Sequence, residues 1–309
     1  MQRSLPLLFA LLMLLPAGGC KDKRSLDGNG NPNTLLVAVY AGDDPTGSMT
    51  PIRAAIRKYL EKELGMPVEM VTSTDYTSVI EAIVSKKAHL AYLSPFSYVL
   101  ATRQTSLVPL VVIGNAGKPS VYRSVIITHP GSGITSMEDV KAKAKNLTLC
   151  FADPASTSGH LIPRAYLTSI GLNPDSAFKQ VLFAGTHMAS IMSVKSGKVD
   201  IGCTTETIIA MLSKRGVMKP GDVNVLWQSD PIVADVIAMR PDINPAFAEK
   251  VRDAYLRMPK ADTALWKKYL SLFQRNPDSL GYVVAQDSFY DGLRRIAAGV
   301  KDLKAVGNK

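Results

Sequence analysis

Short runs of consecutive apolar residues alternate along this chain with longer segments in which apolar positions recur every three or four residues. Residues 34–40 read as a strand, and over 51–64 the spacing of Ile52, Ile56, Tyr59 and Leu60 predicts an amphipathic helix stopped by Gly65. Residues 67–71 predict a second strand, 77–85 a second helix and 89–93 a third strand. The same grammar returns later: strand 147–151, helix 160–170 closed by Gly171, strand 180–183, helix 187–196 closed by Gly197, and strand 199–203. Continuous apolar strands separated by helices indicate an α/β fold of parallel-type sheets covered on both faces.

The two halves echo each other. Segments 83–91 and 192–202 each pass from a helix end through a basic turn into a strand, which suits two lobes of like topology. In open α/β sheets the ligand lies beyond the carboxyl ends of the strands, so two facing lobes place a site in the cleft between them. The extended stretch 107–127, interrupted by Gly117-Lys118-Pro119, is the candidate first crossing between lobes, and 224–239, around Asp230-Pro231, is the return. Predicted helices 245–257 and 263–273 then pack back on the first lobe. The division is lobe 1 at 34–120 and 236–309, and lobe 2 at 121–235.

The N-terminus departs from this pattern. Arg3 precedes an apolar run over 5–15 that is too short to span a bilayer and ends in Pro16-Ala17-Gly18-Gly19-Cys20, the form of a secretory signal. Small residues directly before Cys20 resemble the lipobox of bacterial lipoproteins, with Ala17 where that motif more often has Leu; an ordinary signal cut near Gly19 is the alternative. The expectation is a lipoprotein signal peptide over 1–20, lipidation of Cys20, and anchoring in the periplasm or cell envelope. Residues 21–33, polar and rich in turn formers, read as a flexible tether with nothing to bury.

Lys and Arg outnumber Asp and Glu by 36 to 26, giving a formal net charge of +10. Such a body suits nucleic acid, anionic lipid or an anionic small solute. The cations are scattered along helices without interleaved aromatics, and no nucleic-acid motif occurs, so no nucleic-acid partner is expected. Cys150 and Cys203 fall in predicted buried strands without the Cys/His spacing of a metal site; export permits a disulfide, and two buried thiols are the simpler reading. No metal or cofactor is expected.

The densest chemistry lies in Asp153-Pro154-Ala155-Ser156-Thr157-Ser158-Gly159, which joins strand 147–151 to a predicted helix from His160. Three hydroxyls and unpaired backbone N–H groups meet at the positive pole of a helix, an arrangement that holds a small oxyanion without Lys or Arg. A helix cap needs only one of those hydroxyls. A hydrolase built on Ser156 or Ser158, His187 and Asp153 is the enzymatic alternative, but no G-x-S-x-G elbow is present.

Three pieces of the second half, residues 153–163, Phe183-Ala184-Gly185-Thr186-His187 and Lys198-Val199-Asp200, together resemble the phosphonate/phosphite/phosphate-binding proteins of ABC importers. Asp75-Tyr76, Tyr122-Arg123-Ser124-Val125 and Thr204-Thr205-Glu206 fit the same pattern in order. The resemblance implies a two-lobed, type II periplasmic-binding fold, a monomer that closes on its ligand, no enzymatic activity, and an ABC permease as partner. It further implies that Ser156, Thr157, Ser158 and His187 hold the phosphonyl oxygens, joined by Tyr76 and Tyr122, with Tyr92 and Ser94 on the cleft wall. From the residues themselves, His187 reads first as a satisfied surface or core residue, and for the tyrosines ordinary aromatic packing is the alternative, less so for Tyr76 at a strand-to-helix turn. Members that bind aminoalkylphosphonates carry an acid at each of two positions to pair with the ligand amine, and Glu206 and Asp235 match them, with Asp230 an alternative to Asp235. The implied ligand is thus a zwitterion such as 2-aminoethylphosphonate, against phosphite or phosphate, or a receptor that signals to a membrane sensor.

Overall fold

The computed structural model describes residues 24–44, 47–273 and 275–300. The expected signal peptide, the lipidation of Cys20 and the start of the tether lie outside these residues.

In chain order the strands are β1 (Leu35–Tyr40), β2 (Val68–Ser73), β3 (Leu90–Leu93), β4 (Val108–Asn115), β5 (Lys118–Pro119), β6 (Val121–Tyr122), β7 (Ser124–Thr128), β8 (Thr148–Phe151), β9 (Gln180–Phe183), β10 (Ile201–Thr205), β11 (Asn224–Gln228), β12 (Ile232–Val233), β13 (Val236–Met239) and β14 (Gly281–Val284). One sheet runs β14-β4-β13-β3-β1-β2, with β5 on β4; a second runs β11-β7-β10-β8-β9. Between them β6 and β12 pair antiparallel, Tyr122 opposite Ile232 and Val121 opposite Val233, so the outgoing and returning crossings are bonded to each other.

Parallel-type sheets were the expectation; both sheets are mixed. β1 is parallel to β2 and β3, and β8 to β9 and β10, but β13 is antiparallel to β3 and β4, and β7 to β10 and β11. The reason is connectivity. β1–β3 and β8–β10 follow one another through helices and all end at the cleft, whereas β7 and β13 enter their sheets from the crossings and must run away from it.

Alternation within strands distributes side chains to two layers. Leu35, Val37 and Val39 enter a core with helices Thr50–Leu64 and Pro245–Ala261, while Ala38 faces the core on the other side of the sheet. In lobe 2 Val125 and Ile127 pack on one face and Ile126 on the other. Cys150 and Cys203 are free thiols buried on neighbouring strands, and burial raises both pKa values.

The segment expected as a flexible tether is docked along its described part. Leu26 packs against the lobe 1 core and bridges to Pro32, and Asn244 donates from Nδ2 to the Asn29 carbonyl at 2.9 Å. The apolar side chain of Leu26 gives the polar segment something to bury. Among the described residues no helix is long and apolar enough to cross a membrane.

Candidate functional site

Strands end at the cleft and helices begin there, five of the helical segments opened by a side-chain cap. Asp75 accepts from Ser78 N–H, Ser94 from Ser97, Ser156 from Gly159, Thr186 from Ala189 and Thr205 from Thr207. Caps satisfy one donor each and leave the remaining first-turn N–H groups at the cleft. The cavity between the lobes has a volume of about 280 Å³, and Tyr76, Tyr92, Ser94, Tyr122, Ser156, Thr157, Ser158, His187 and Asp235 line it.

The Ser-Thr-Ser segment opens not an α-helix from His160 but a π-helical turn, Thr157–Leu161, before the α-helix Ile162–Ser169. Gly159 permits this turn: a Cβ there would stand 2.4 Å from Ala152 Cβ and 2.9 Å from the His187 ring. Ser156 Oγ accepts from Gly159 N–H at 3.0 Å and meets His187 Nε2 at 3.2 Å. Thr204 Oγ1 lies 3.3 Å from the other ring nitrogen. Burial lowers the His187 pKa against the opposing pull of Asp43, so the ring works as a neutral hydrogen-bonding group.

The hydroxyls are not equivalent. Thr157 Oγ1 is engaged across the cleft, accepting from Phe96 N–H at 2.8 Å and donating to Ser94 Oγ at 3.3 Å. Thr157 therefore ties the lobes together through its hydroxyl. Ser94 is occupied as a cap, and the Tyr92 hydroxyl donates to Tyr255 at 2.8 Å, so both serve as wall. Burial raises the Tyr122 phenol, and the nearby hydroxyls of Ser158 and Thr157 offset part of the rise. Tyr76 stacks on Tyr40 at 4.0 Å and meets His187 edge-on at 6.4 Å.

The acids part company. Asp235 is exposed to the cleft that it lines, its carboxylate making no hydrogen bond with the described residues. The surrounding protein pushes it up to about 6, against the pull of Arg275. Glu206 is not among the residues that line the cavity. It opens the helix Glu206–Lys214, and its Oε2 accepts from Gln228 Nε2 on the exposed side, while its neighbours Thr205 and Thr207 line the cavity.

Sequence reasoning missed Tyr40, Asp43 and Arg275, which also line the cavity. Asp43 was detectable as an acid just beyond β1; Arg275 carries no local signal. Nor do the residues of the enzymatic alternative assemble as a triad. Asp153, raised to about 6 by burial, accepts from Ala155 N–H at 2.7 Å, and the group at His187 Nδ1 is the Thr204 hydroxyl.

The phosphate-import protein PhnD of Mycolicibacterium smegmatis is 27% identical over 299 residues, 92% of this chain and 91% of that one. The phosphonates-binding periplasmic protein of Escherichia coli is 29% identical over 202 residues, 65% of this chain and 59% of that one. A binding protein component of an ABC phosphonate transporter from Pseudomonas aeruginosa has the same fold, with a TM-score of 0.76 at 23% identity over 85% of each chain. Residues 43–290 match the family described as ABC transporter, phosphonate, periplasmic substrate-binding protein, and the chain belongs to that family.

Proposed function

We propose that this periplasmic substrate-binding protein captures a small phosphonate bearing a cationic group, an aminoalkylphosphonate such as 2-aminoethylphosphonate, and delivers it to an ABC permease. The observation that carries this reading is the asymmetry of the cleft. One wall presents Ser156, Ser158, Tyr122, Tyr76 and neutral His187 with the backbone N–H groups at the head of the π turn. The same cavity holds the acid Asp235, without a hydrogen-bond partner among the described residues.

Charge-assisted hydrogen bonds from the donor wall contribute about 1.5–3 kcal/mol each, and several of them reach the roughly 8 kcal/mol of a micromolar complex. A bare dianion beside ionised Asp235 is repelled, whereas an ammonium on its far end pairs with it. Asp235 takes this role, since the Glu206 carboxylate is engaged by Gln228 and Glu206 is not among the residues that line the cavity. Closure of lobe 1 (34–120 and 236–309) on lobe 2 (121–235) brings Tyr76 over the donors and Asp235 that lobe 2 contributes, in a monomer that a lipid on Cys20 holds near its permease.

Titration calorimetry of the purified protein with 2-aminoethylphosphonate, methylphosphonate, phosphite, phosphate and sulfate tests this. The aminophosphonate is expected to bind most tightly, and phosphate binding equally well overturns the role of Asp235.

A second reading has one observation in its favour. A carboxyl raised to about 6 is partly protonated near neutrality and then donates to an oxyanion, which fits inorganic phosphate or phosphite. Phosphate affinity would then rise as the pH falls through 6, while the preference for the aminophosphonate over methylphosphonate would shrink.

A further inference from the structure

We propose that the adjacent acids Asp43 and Asp44 latch the lobes in the closed position, as positioning residues for ligand capture. Both lie in the loop after β1, where Gly42 allows a close approach: a Cβ there would stand 2.5 Å from the Thr74 carbonyl and 2.6 Å from the Tyr40 hydroxyl. The loop is thereby pressed against its own lobe, and its two acids reach the other.

Asp43 Oδ1 accepts from Met188 N–H at 2.8 Å, in the first turn of the lobe 2 helix His187–Lys195, and Oδ2 accepts from the Tyr40 hydroxyl at 3.1 Å. A carboxylate from one lobe thus meets the positive pole of a helix in the other. Both of its oxygens are engaged by protein, which separates it from Asp235, whose carboxylate has no such partner.

Asp44 makes the neighbouring contact. It pairs with Arg53 of its own lobe at 3.1 Å and stands 3.7 Å from Arg215 Nη1 of lobe 2. Nη1 and Nη2 of Arg215 are buried without a hydrogen bond among the described residues. A desolvated pair of this kind adds little net energy but penalises any closure that misaligns it. Asp43 therefore supplies the closing free energy and Asp44 the register.

A ligand that binds the closed form loses affinity by the factor in which the closed population falls, whatever its chemistry. The proposal rests on the cleft being the ligand site and is indifferent to which oxyanion fills it. Asp43→Asn keeps the size and removes the charge. Its expected effect is a common loss, about tenfold, for 2-aminoethylphosphonate, methylphosphonate and inorganic phosphate. Small-angle scattering of the ligand-free protein should also show a more open average than the parent. Asp43→Ala, which removes the acceptor as well, should lose more by the same rule, and thermal melting checks that both variants fold. Unchanged scattering and affinities overturn the latch. So does a loss confined to the aminophosphonate, which makes Asp43 a ligand contact. If none of the three ligands binds the parent protein, the functional reading falls while scattering still decides the latch.

Discussion

Single side chains set the charge states on which this protein depends. His160 is buried between the Pro154 carbonyl, 2.7 Å from Nδ1, and Arg164, whose Nε donates to Nε2 at 3.0 Å. A guanidinium only donates, so Nε2 is the acceptor and Nδ1 carries the hydrogen, and burial lowers the pKa to about 4. The folded state thus binds its proton less readily than the unfolded chain. The stabilisation is fully present above the unfolded value near 6.5 and is lost as the pH falls through about 4, roughly 3 kcal/mol in all. Melting curves between pH 7 and 4 should show this loss, and His160→Gln should flatten it. Asp235→Asn should weaken the aminophosphonate tenfold or more, about 1.4 kcal/mol, while methylphosphonate holds or tightens; equal losses in calorimetry place the amine elsewhere. Glu206→Ala should leave both ligands within about twofold, because its carboxylate already serves Gln228.

At the scale of elements, the strand and helix starts at the cleft were legible because each is punctuated by local chemistry. The predicted helices 51–64 and 187–196 lie within a residue of the observed Thr50–Leu64 and His187–Lys195, since caps, Gly65 and Gly197 act within a few residues of chain. The π turn was not legible, because it depends on Ala152 and His187 closing over Gly159 from other elements. Gly159→Ala should therefore distort the oxyanion wall, costing about 1–3 kcal/mol of stability by overpacking and weakening every ligand. A variant with parental melting temperature and affinity would show that the turn has slack.

In the whole molecule, function depends on contacts between lobes that are far apart in sequence. Thr157 Oγ1 satisfies the Phe96 N–H, a first-turn donor of the helix Pro95–Thr102, and Ser97 Oγ donates to the Ala155 carbonyl at 3.0 Å. Thr157→Val keeps the shape and leaves the Phe96 donor unpaired, which costs about 1–3 kcal/mol. The expected result is a lower melting temperature and weaker binding of methylphosphonate and aminophosphonate alike; a parental thermal scan would mean that water replaces the bond. The amino-acid sequence by itself determined the α/β class, the alternation of elements and the placing of the Ser156-Thr157-Ser158 loop between a strand and a helix, because periodicity, caps and hydroxyl runs act between neighbours in the chain. Only the tertiary structure decided the antiparallel entry of β7 and β13, the pairing of Glu206 with Gln228, the engagement of Thr157 and the reach of Asp43 into lobe 2. Each of these depends on which segment faces which across the cleft, and one-dimensional spacing does not encode that.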